Sequence, residues 1–386
     1  MKHNYHYLLV GAGFFSCTFA YLARQRGLRV LIIDRRPHIA GNTYTEDRDG
    51  IMVHKYGAHI FHTSSKPIWD FVRQFAEFNG YINSPVANYR GSLYNLPFNM
   101  NTFYGLWGCR TPQEARRKLE EQCSSEQLHR APENLEEQAL QLVGRDIYEK
   151  LIKGYTEKQW GRACTELPAF IIRRLPLRFT FDNNYFKDPY QGIPGSASGG
   201  YSGICAQLAA GAELKLGLDF LAERDSLQNM ARRIIYTGMI DEYFGYSEGR
   251  LDYRSLDFRT KTLQTDNFQG NAVVNYTDAE IPYTRIIEHK HFDIGSKAID
   301  LPQTVVTWEY PQEFGPGTEP FYPVNDQPNQ ALLQKYRDLA ARQSGREEVY
   351  FAGRLGSYKY FDMDQVIAEA MTLFQKLEGG PKLLQD

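Results

Sequence analysis

Tyr7-Leu-Leu-Val-Gly-Ala-Gly-Phe-Phe-Ser16, close to the start of a 386-residue chain, decides the fold. Tyr7 to Val10 is an apolar run of strand length, Gly11 and Gly13 follow at once, and Phe14 to Arg26 reads as a helix that Gly27 ends. Arg29 to Ile33 is a second apolar run, closed by Asp34. A strand, a glycine turn, a helix and a strand with an acid at its tip make the pattern of a dinucleotide-binding fold. Gly11 supplies the tight turn. Gly13 has no side chain, so a pyrophosphate can approach the backbone, where the helix N-terminus offers free N–H groups and a positive dipole end. Asp34, about 20 residues on, can accept hydrogen bonds from a ribose. Ser16 stands where a third glycine is usual, and it is small enough for close helix–strand packing. An ordinary βαβ unit also uses a glycine turn. The strand before, the helix after and the acid at the next strand end favour the dinucleotide.

Outward from there, Arg35 to Tyr44 is a loop of small residues in which Ala40-Gly41 takes the place of the paired glycines common in flavin-binding Rossmann proteins. A nicotinamide domain more often goes straight into a second helix, so the loop points to FAD. The stretch His54 to His62 is too polar and too aromatic for a plain strand. His59 and His62 have the i, i+3 spacing of two metal ligands, but no third ligand follows at a recognisable distance; a loop lying against a cofactor is the better reading, and no metal is expected. Ser65-Lys-Pro67 starts a helix, with Ser as cap and Pro in the first turn. Pro85 to Pro97 reads as a hairpin turning at Arg90-Gly91. Thr111-Pro-Gln-Glu114 is a capping box opening a helix, and Glu133 to Tyr148 is a further helical stretch. Leu167 to Pro176 is bracketed by prolines. Gly192 to Gly203, dense in glycine and serine, reads as a flexible loop. Leu208 to Thr237 resumes helix and strands. Ser255–Phe258, Ala272–Tyr276 and Thr304–Tyr310 read as an antiparallel sheet. Glu348 to Arg354 is a last strand, with a helix from about Met363 behind it.

Composition bounds the function. With 44 basic and 46 acidic residues the net charge is −2, so no global basic field serves nucleic acid or a membrane surface. An anionic ligand must be held by a few local arginines. No apolar run approaches membrane-spanning length and no signal peptide is evident. Cys17, Cys109, Cys123, Cys164 and Cys205 are scattered and form no CxxC pair, which suits reduced thiols in the cytoplasm. Tyrosines sit in polar stretches together with arginines: Gly154-Tyr155-Thr-Glu-Lys-Gln-Trp160-Gly, Phe181-Asp-Asn-Asn-Tyr185-Phe, Val274-Asn275-Tyr, Pro282-Tyr283-Thr-Arg285, Pro320-Phe-Tyr322 and Tyr358-Lys-Tyr360-Phe-Asp362. A nucleotide base stacks on a flat aromatic and a diphosphate needs arginines, so this set suits a nucleotide ligand. Any one of these tyrosines is as well explained by the core or the surface.

At these strings the chain resembles the bacterial UDP-galactopyranose mutases, over nearly its whole length: VHKYGAHIFHT, GYTEKQWG, LPAFIIRRLPLRF, FDNNYF, PYTRIIEHKHF and AGRLGSYKYFDMD occur in that family's order. Ser16, Ala40 and extra residues around Gly195 to Ser198 depart from its pattern; the last lie in a loop, where insertion costs little.

The resemblance implies an α/β fold: an FAD-binding Rossmann-like domain with a helical insertion and an antiparallel β-sheet domain. Residues 1–82, 192–243 and 345–386 form the discontinuous FAD domain, 99–166 the helical domain, and 83–98, 167–191 and 244–344 the sheet domain, with a mobile loop near 167–178. It implies interconversion of UDP-galactopyranose and UDP-galactofuranose by a cytoplasmic homodimer that supplies galactofuranose for cell-surface glycans. It also implies that N5 of reduced FAD attacks the anomeric carbon and expels UDP, an iminium forms as the ring opens, the sugar recloses through its 4-hydroxyl, and UDP returns to displace the flavin. By the same resemblance Arg174 closes on the diphosphate and Arg285 is its fixed partner. His62 lies near N5. Tyr185 stacks on uracil, with Tyr155, Thr156 and Trp160 around the nucleotide. Tyr322 and Tyr360 contact the diphosphate, and Asn83 and Asn275 the sugar. Gly11, Gly13, Phe15, Asp34, Arg35, Asn42, His59, Ile60, Phe220, Arg354, Asp362, Met363 and Asp364 match flavin contacts. The chemistry agrees: two arginines can stabilise a diphosphate leaving group. A flavin nucleophile explains why no Ser-His-Asp set or carboxylate pair is evident. The rival readings are an FAD oxidoreductase of amine-oxidase type and a non-catalytic nucleotide-sugar-binding protein that keeps FAD as a structural element.

Overall fold

The computed structural model describes residues 3–172 and 177–380, and of residues 344–347 the backbone only. The chain forms two compact units. One comprises Met1–Gly80, Asp188–Tyr253 and Pro320–Asp386; the other comprises Tyr81–Lys187 and Arg254–Glu319.

In the first unit five strands lie in the order Val349–Phe351, Ala231–Tyr236, Tyr5–Val10, Val30–Asp34, Glu213–Leu216, and every pairing is parallel. A parallel sheet covered on both faces needs apolar residues pointing both ways. Tyr7 and Leu9 accordingly join Phe15, Phe19, Ile32, Leu208 and Phe374 on the side of the helices Phe14–Gln25, Gly200–Ala209 and Met363–Glu378. Leu8 and Val10 join Leu31, Ile33, Phe220, Ile234 and Tyr243 on the other. The strand–glycine–helix–strand reading of the N-terminus therefore holds. The flexible loop expected over Gly192–Gly203 does not exist. Gly192 ends a strand, Ser196–Ser198 is a 3-10 turn, and a helix starts at Gly200. The glycines there serve close packing: a Cβ on Gly203 would lie 1.8 Å from Ser198 O, and one on Gly192 would lie 2.5 Å from Asn79 O. Ser65 precedes the helix Lys66–Val72 as expected, but its side chain makes no capping hydrogen bond.

The second unit combines the helical segment with a sheet. Six of its strands run in the order Tyr253–Leu263, Thr304–Glu313, Arg285–Glu288, Val273–Tyr276, Val86–Tyr89, Ser92–Asn95. The pairs are antiparallel except one: Val273–Tyr276 lies parallel to Val86–Tyr89, so the sheet is mixed rather than wholly antiparallel. The hairpin turns at Arg90 and Gly91, which take φ +51° and +84°, the pair of positive angles a two-residue turn needs to match strand twist. The capping box is present, with Thr111 Oγ1 accepting from the Glu114 N–H at 3.2 Å and the Glu114 carboxylate accepting from the Thr111 N–H at 3.2 Å. Helices Met100–Trp107, Pro112–Ser124 and Leu135–Ile147 pack around Phe103, Ala115, Ala139, Val143 and Tyr148.

Candidate functional site

Because the first unit's strands run the same way, Val10, Asp34, Tyr236 and Phe351 end at one edge of the sheet, where open α/β sheets bind ligands. Gly11 sits at φ +102°, and a Cβ there would lie 2.2 Å from Thr237 Oγ1, so no side chain fits. Gly13 is different: its φ is −81°, and a Cβ built on it meets nothing within 4 Å. Space is open in front of that helix N-terminus. Gly41, at φ +55°, brings its loop against the same turn, since its Cβ would lie 3.3 Å from Gly13 Cα. Ala40, at φ +74°, donates its N–H to Ala12 O at 2.8 Å. Asp34 builds the turn: Oδ2 accepts the Ala12 N–H at 2.7 Å and Oδ1 the Arg36 N–H at 2.8 Å. Each carboxylate oxygen has a second lone pair for a ribose hydroxyl. Asn42 Oδ1 accepts from Arg36 Nη1 at 2.9 Å, and that guanidinium lies 4.6 Å from the Tyr56 ring. Arg36 is thus the arginine tied to Asn42, whereas Arg35 is exposed. The Phe15 and Phe220 side chains are core: Phe15 stacks on Phe19, and Phe220 packs with Tyr236 and Tyr243. Any ligand contact from Phe15 falls to its backbone at the helix start. A cradle that a Cβ on Gly13 would fill, a helix N-terminus and the Asp34 tip fit a bound dinucleotide.

A second group in this unit centres on His62. Phe61–Thr63 pairs with Tyr190–Gly192. His62 Nδ1 meets Asp188 Oδ2 at 2.7 Å, and Ser64 Oγ donates to the other oxygen of Asp188. Burial alone would raise the Asp188 carboxyl; the hydrogen bonds from Ser64 and His62 hold it below its ordinary value. Thr63 Oγ1 donates to Asp364 Oδ2 at 2.8 Å. Asp362 and Met363 begin the helix Met363–Glu378, whose first N–H groups form a second positive dipole end. Burial raises the Asp362 carboxyl, with His62 opposing and Asp364 adding to the rise. Arg354 donates to Phe361 O at 2.7 Å and lies 5.1 Å from the Tyr360 ring, and Tyr360 stacks on Tyr322 at 6.0 Å. His59 turns elsewhere: its Nδ1 meets Gly57 O at 2.8 Å and its carbonyl accepts from Tyr201 OH at 3.0 Å. Ile60 is buried next to it. His59 and His62 thus take separate partners.

In the second unit strand register makes a row. Asn275 is opposite Arg285, and Arg285 opposite Glu309, so the three side chains share one face. Arg285 Nη2 donates to Tyr155 OH at 2.6 Å, while its Nε lies 3.4 Å from Glu309 Oε1. Glu309 is 1% exposed. Burial pushes its carboxyl up and Arg285 pulls it back. Asn275 Oδ1 is buried with no hydrogen-bond partner among the described residues. Such an acceptor demands a donor, which a ligand hydroxyl or N–H would supply. Tyr155, Thr156 and Trp160 share the helix Gly154–Trp160. Tyr185 is held by its backbone: its N–H donates to Asn83 O at 2.7 Å and its carbonyl accepts from Arg178 Nη2 at 3.0 Å, while the side chain is 39% exposed against Phe186. Asn83 is buried and its Oδ1 accepts from Tyr81 OH at 3.4 Å. Arg174 lies outside the described residues. Sequence reasoning overlooked Arg36, Asp188 and Glu309. The one signal was Glu309 itself, a carboxylate inside the run Thr304–Tyr310, where burial demands a cationic partner.

Residues 150–360 match the family described as UDP-galactopyranose mutase, and residues 9–75 match the NAD(P)-binding Rossmann-like domain. The chain is 40% identical to a probable UDP-galactopyranose mutase of Klebsiella pneumoniae over 375 residues, covering 96% of this chain and 94% of the relative. It is 35% identical to a dTDP-fucopyranose mutase of Escherichia coli, covering 95% and 97%. The crystal structure of a reduced UDP-galactopyranose mutase shares the fold with a TM-score of 0.72 at 15% identity, covering 97% of this chain and 94% of that one.

Proposed function

Because this chain belongs to the UDP-galactopyranose mutase family, and is accordingly an isomerase, we propose that it interconverts UDP-galactopyranose and UDP-galactofuranose with reduced FAD as cofactor. The observation that carries the reading is the row Asn275–Arg285–Glu309 with Tyr155 against Arg285, in a chain that also carries the glycine cradle.

The first unit holds FAD. Gly11, Gly13 and the N–H groups of the helix starting at Phe14 take the pyrophosphate, Asp34 takes a ribose, and Arg36 with Asn42 orders the loop beside them. His62, Arg354 and the helix start at Asp362, Met363 and Asp364 take the flavin end. FAD, when bound and reduced, would supply the nucleophile for displacement of UDP, so no side-chain nucleophile is needed. The second unit recognises the nucleotide sugar. The Tyr185 ring carries uracil, Tyr155, Thr156 and Trp160 flank the nucleotide, and Asn83 and Asn275 bind sugar hydroxyls. Arg285 stabilises the diphosphate as it takes on charge, and Arg174 joins it there. Glu309, buried beside the guanidinium, orients it. In the first unit Tyr322 and Tyr360, stacked on each other, offer hydroxyls to a diphosphate. We place the enzyme in the cytoplasm as a homodimer feeding cell-surface glycan synthesis; no helix among the described residues is long and apolar enough to cross a membrane.

The test has two steps. The purified protein should be yellow, with FAD released intact on denaturation. With dithionite present, UDP-galactopyranose should yield a second UDP-sugar by chromatography while the flavin ends as it began. Peroxide formation or net substrate oxidation would instead establish an oxidoreductase. Offering dTDP-fucopyranose beside UDP-galactopyranose tests the reading drawn from the Escherichia coli relative, and a large preference for the former would replace the substrate named here.

A further inference from the structure

The helix Gly154–Trp160 and the chain segment between Tyr276 and Arg285 meet at two points one helical turn apart. At the first, Gly154 is buried, and a Cβ on it would lie 2.5 Å from Thr277 O and 2.9 Å from Ala279 N, so only glycine lets the helix come this close. At the second, on the same helix face four residues later, Lys158 Nζ donates to Tyr276 O at 2.8 Å, Ile281 O at 2.9 Å and Tyr283 O at 3.0 Å. An ammonium has three donors and no acceptor, and all three are spent on one loop. Three carbonyls around one Nζ call for the ammonium form; partial burial pushes Lys158 down to about 8, with Asp278 pulling the other way.

The loop so held is not arbitrary. Tyr276 follows Asn275, and Tyr283 stands two residues before Arg285. The helix that carries Lys158 also carries Tyr155 and Trp160, and Tyr155 accepts from Arg285. One cation therefore ties the aromatic side of the row to its amide and guanidinium side. We propose that Lys158 is a positioning residue that sets the spacing between Tyr155 and Trp160 on the helix and Asn275 and Arg285 on the strands. It does so by holding three carbonyls of the intervening loop, and it touches no substrate itself. This rests on the reading of those four residues as nucleotide-sugar groups.

The experiment uses the full-length holoprotein with UDP as probe. Lys158→Ala should keep its FAD and its circular dichroism yet bind UDP about 10- to 100-fold more weakly, the scale of loss that small misplacement of binding groups produces. Added ethylammonium should then restore UDP affinity in a saturable way, and tetramethylammonium, which has no N–H, should not. Should Lys158→Ala fail to fold, Lys158→Met fills the space without donors and carries the same expected loss, and Lys158→Arg, which keeps cation and donors, should regain part of it. A folded Lys158→Ala or Lys158→Met protein that binds UDP as the wild type does would overturn the positioning role and leave the proposed function standing. So would a loss that neither ethylammonium nor arginine relieves, since that is what a mere brace would show. Wild-type protein that fails to bind UDP would instead bring down the function and this inference together.

Discussion

The two units build their ligand groups by opposite means. In the first, the cradle is mostly backbone: Gly11, Gly13 and Gly41 remove side chains so that main-chain N–H groups can face a ligand, and Asp34 is spent largely on holding the turn. In the second, the row is made of side chains with little to spare. Arg285 is shared between Tyr155 and Glu309, Lys158 uses every donor, and Asn275 Oδ1 has no hydrogen-bond partner among the described residues. A backbone cradle suits a cofactor that stays, because fixed amides need no reordering. A charged row suits a ligand that gains charge during a reaction, because preorganised charge stabilises developing charge.

The largest expected effect tests that division. Arg285→Ala should cut kcat by about 10²- to 10³-fold, on the scale found when one preorganised electrostatic donor is removed. Flavin content should be unchanged, and Arg285→Lys should recover little, because a point charge cannot both meet Tyr155 and lie along Glu309. Flavin loss in Arg285→Ala would break the division. The next effect belongs to the cradle and separates its two glycines. Gly11→Ala forces a side chain into Thr237 at a positive φ, and we expect a loss of several kcal/mol in urea unfolding, as for other strained, overpacked positions. Gly13→Ala meets no atom and no backbone strain, so the fold should keep its stability while the methyl group fills the cradle. Flavin affinity should then fall by at least about 10-fold, the size of one lost close contact. Equal stability losses in the two variants would mean that the space before Gly13 is not a binding cradle.

How much of this was legible follows from the same contrast. Glycine spacing, a strand-end acid, a capping box and an Arg-Gly turn are local signals. The strand at Tyr7–Val10, the helix opening at the Thr111 capping box and the hairpin at Arg90-Gly91 were read from neighbouring residues alone, and the structure extends the first to Tyr5–Val10 and runs the second over Pro112–Ser124. The row was not, because it depends on register: nothing in the order of residues says that Arg285 faces Glu309 rather than Trp308, and a one-residue slip would put each side chain on the other face. Asp188 escaped for the same reason, since it meets His62 from a distant stretch. Gly192–Gly203 was misread because a glycine that permits close approach and a glycine that permits motion look alike in sequence. The parallel pair between Val273–Tyr276 and Val86–Tyr89 escaped because alternation reports a strand, not its partner's direction.

Tyr185 sharpens the comparison at intermediate size. Its backbone is fixed by Asn83 and Arg178 while its ring is presented, so Tyr185→Ala should leave the fold and the flavin alone. UDP should bind about 10- to 100-fold more weakly, from a stacking contact of roughly 1–3 kcal/mol. Calorimetric titration decides, and an unchanged UDP affinity with lost flavin would make Tyr185 a fold residue. Smaller still is Ser16, 0% exposed, with an Oγ that has no hydrogen-bond partner among the described residues. Ser16→Ala should stabilise the apoprotein by about 1 kcal/mol, since an unmet buried hydroxyl costs more than it returns. A loss of stability would mean that the hydroxyl works at the cradle.

The smallest expected effect concerns Ala40, the other departure from the paired-glycine pattern. Its φ of +74° lies in the left-handed region, and its N–H still closes on Ala12 O at 2.8 Å. For a residue with a Cβ that region costs roughly 1–2 kcal/mol. Glycine would relieve the cost but lose more backbone entropy on folding, about 0.5–1 kcal/mol. The Ala40 methyl is also buried, at 1% exposure, and removing it forfeits about 0.8 kcal/mol of burial. The terms nearly cancel, so Ala40→Gly should leave unfolding stability within about 0.5 kcal/mol of wild type. Flavin affinity should change by no more than a few-fold, because the backbone of Gly41 against Gly13 is unchanged. A stability gain above about 1 kcal/mol would mean that strain at Ala40 is stored beside the cradle. An equal loss would mean that the methyl packs the loop that presents Gly41, and the first unit would then rely on a side chain where its design otherwise removes them.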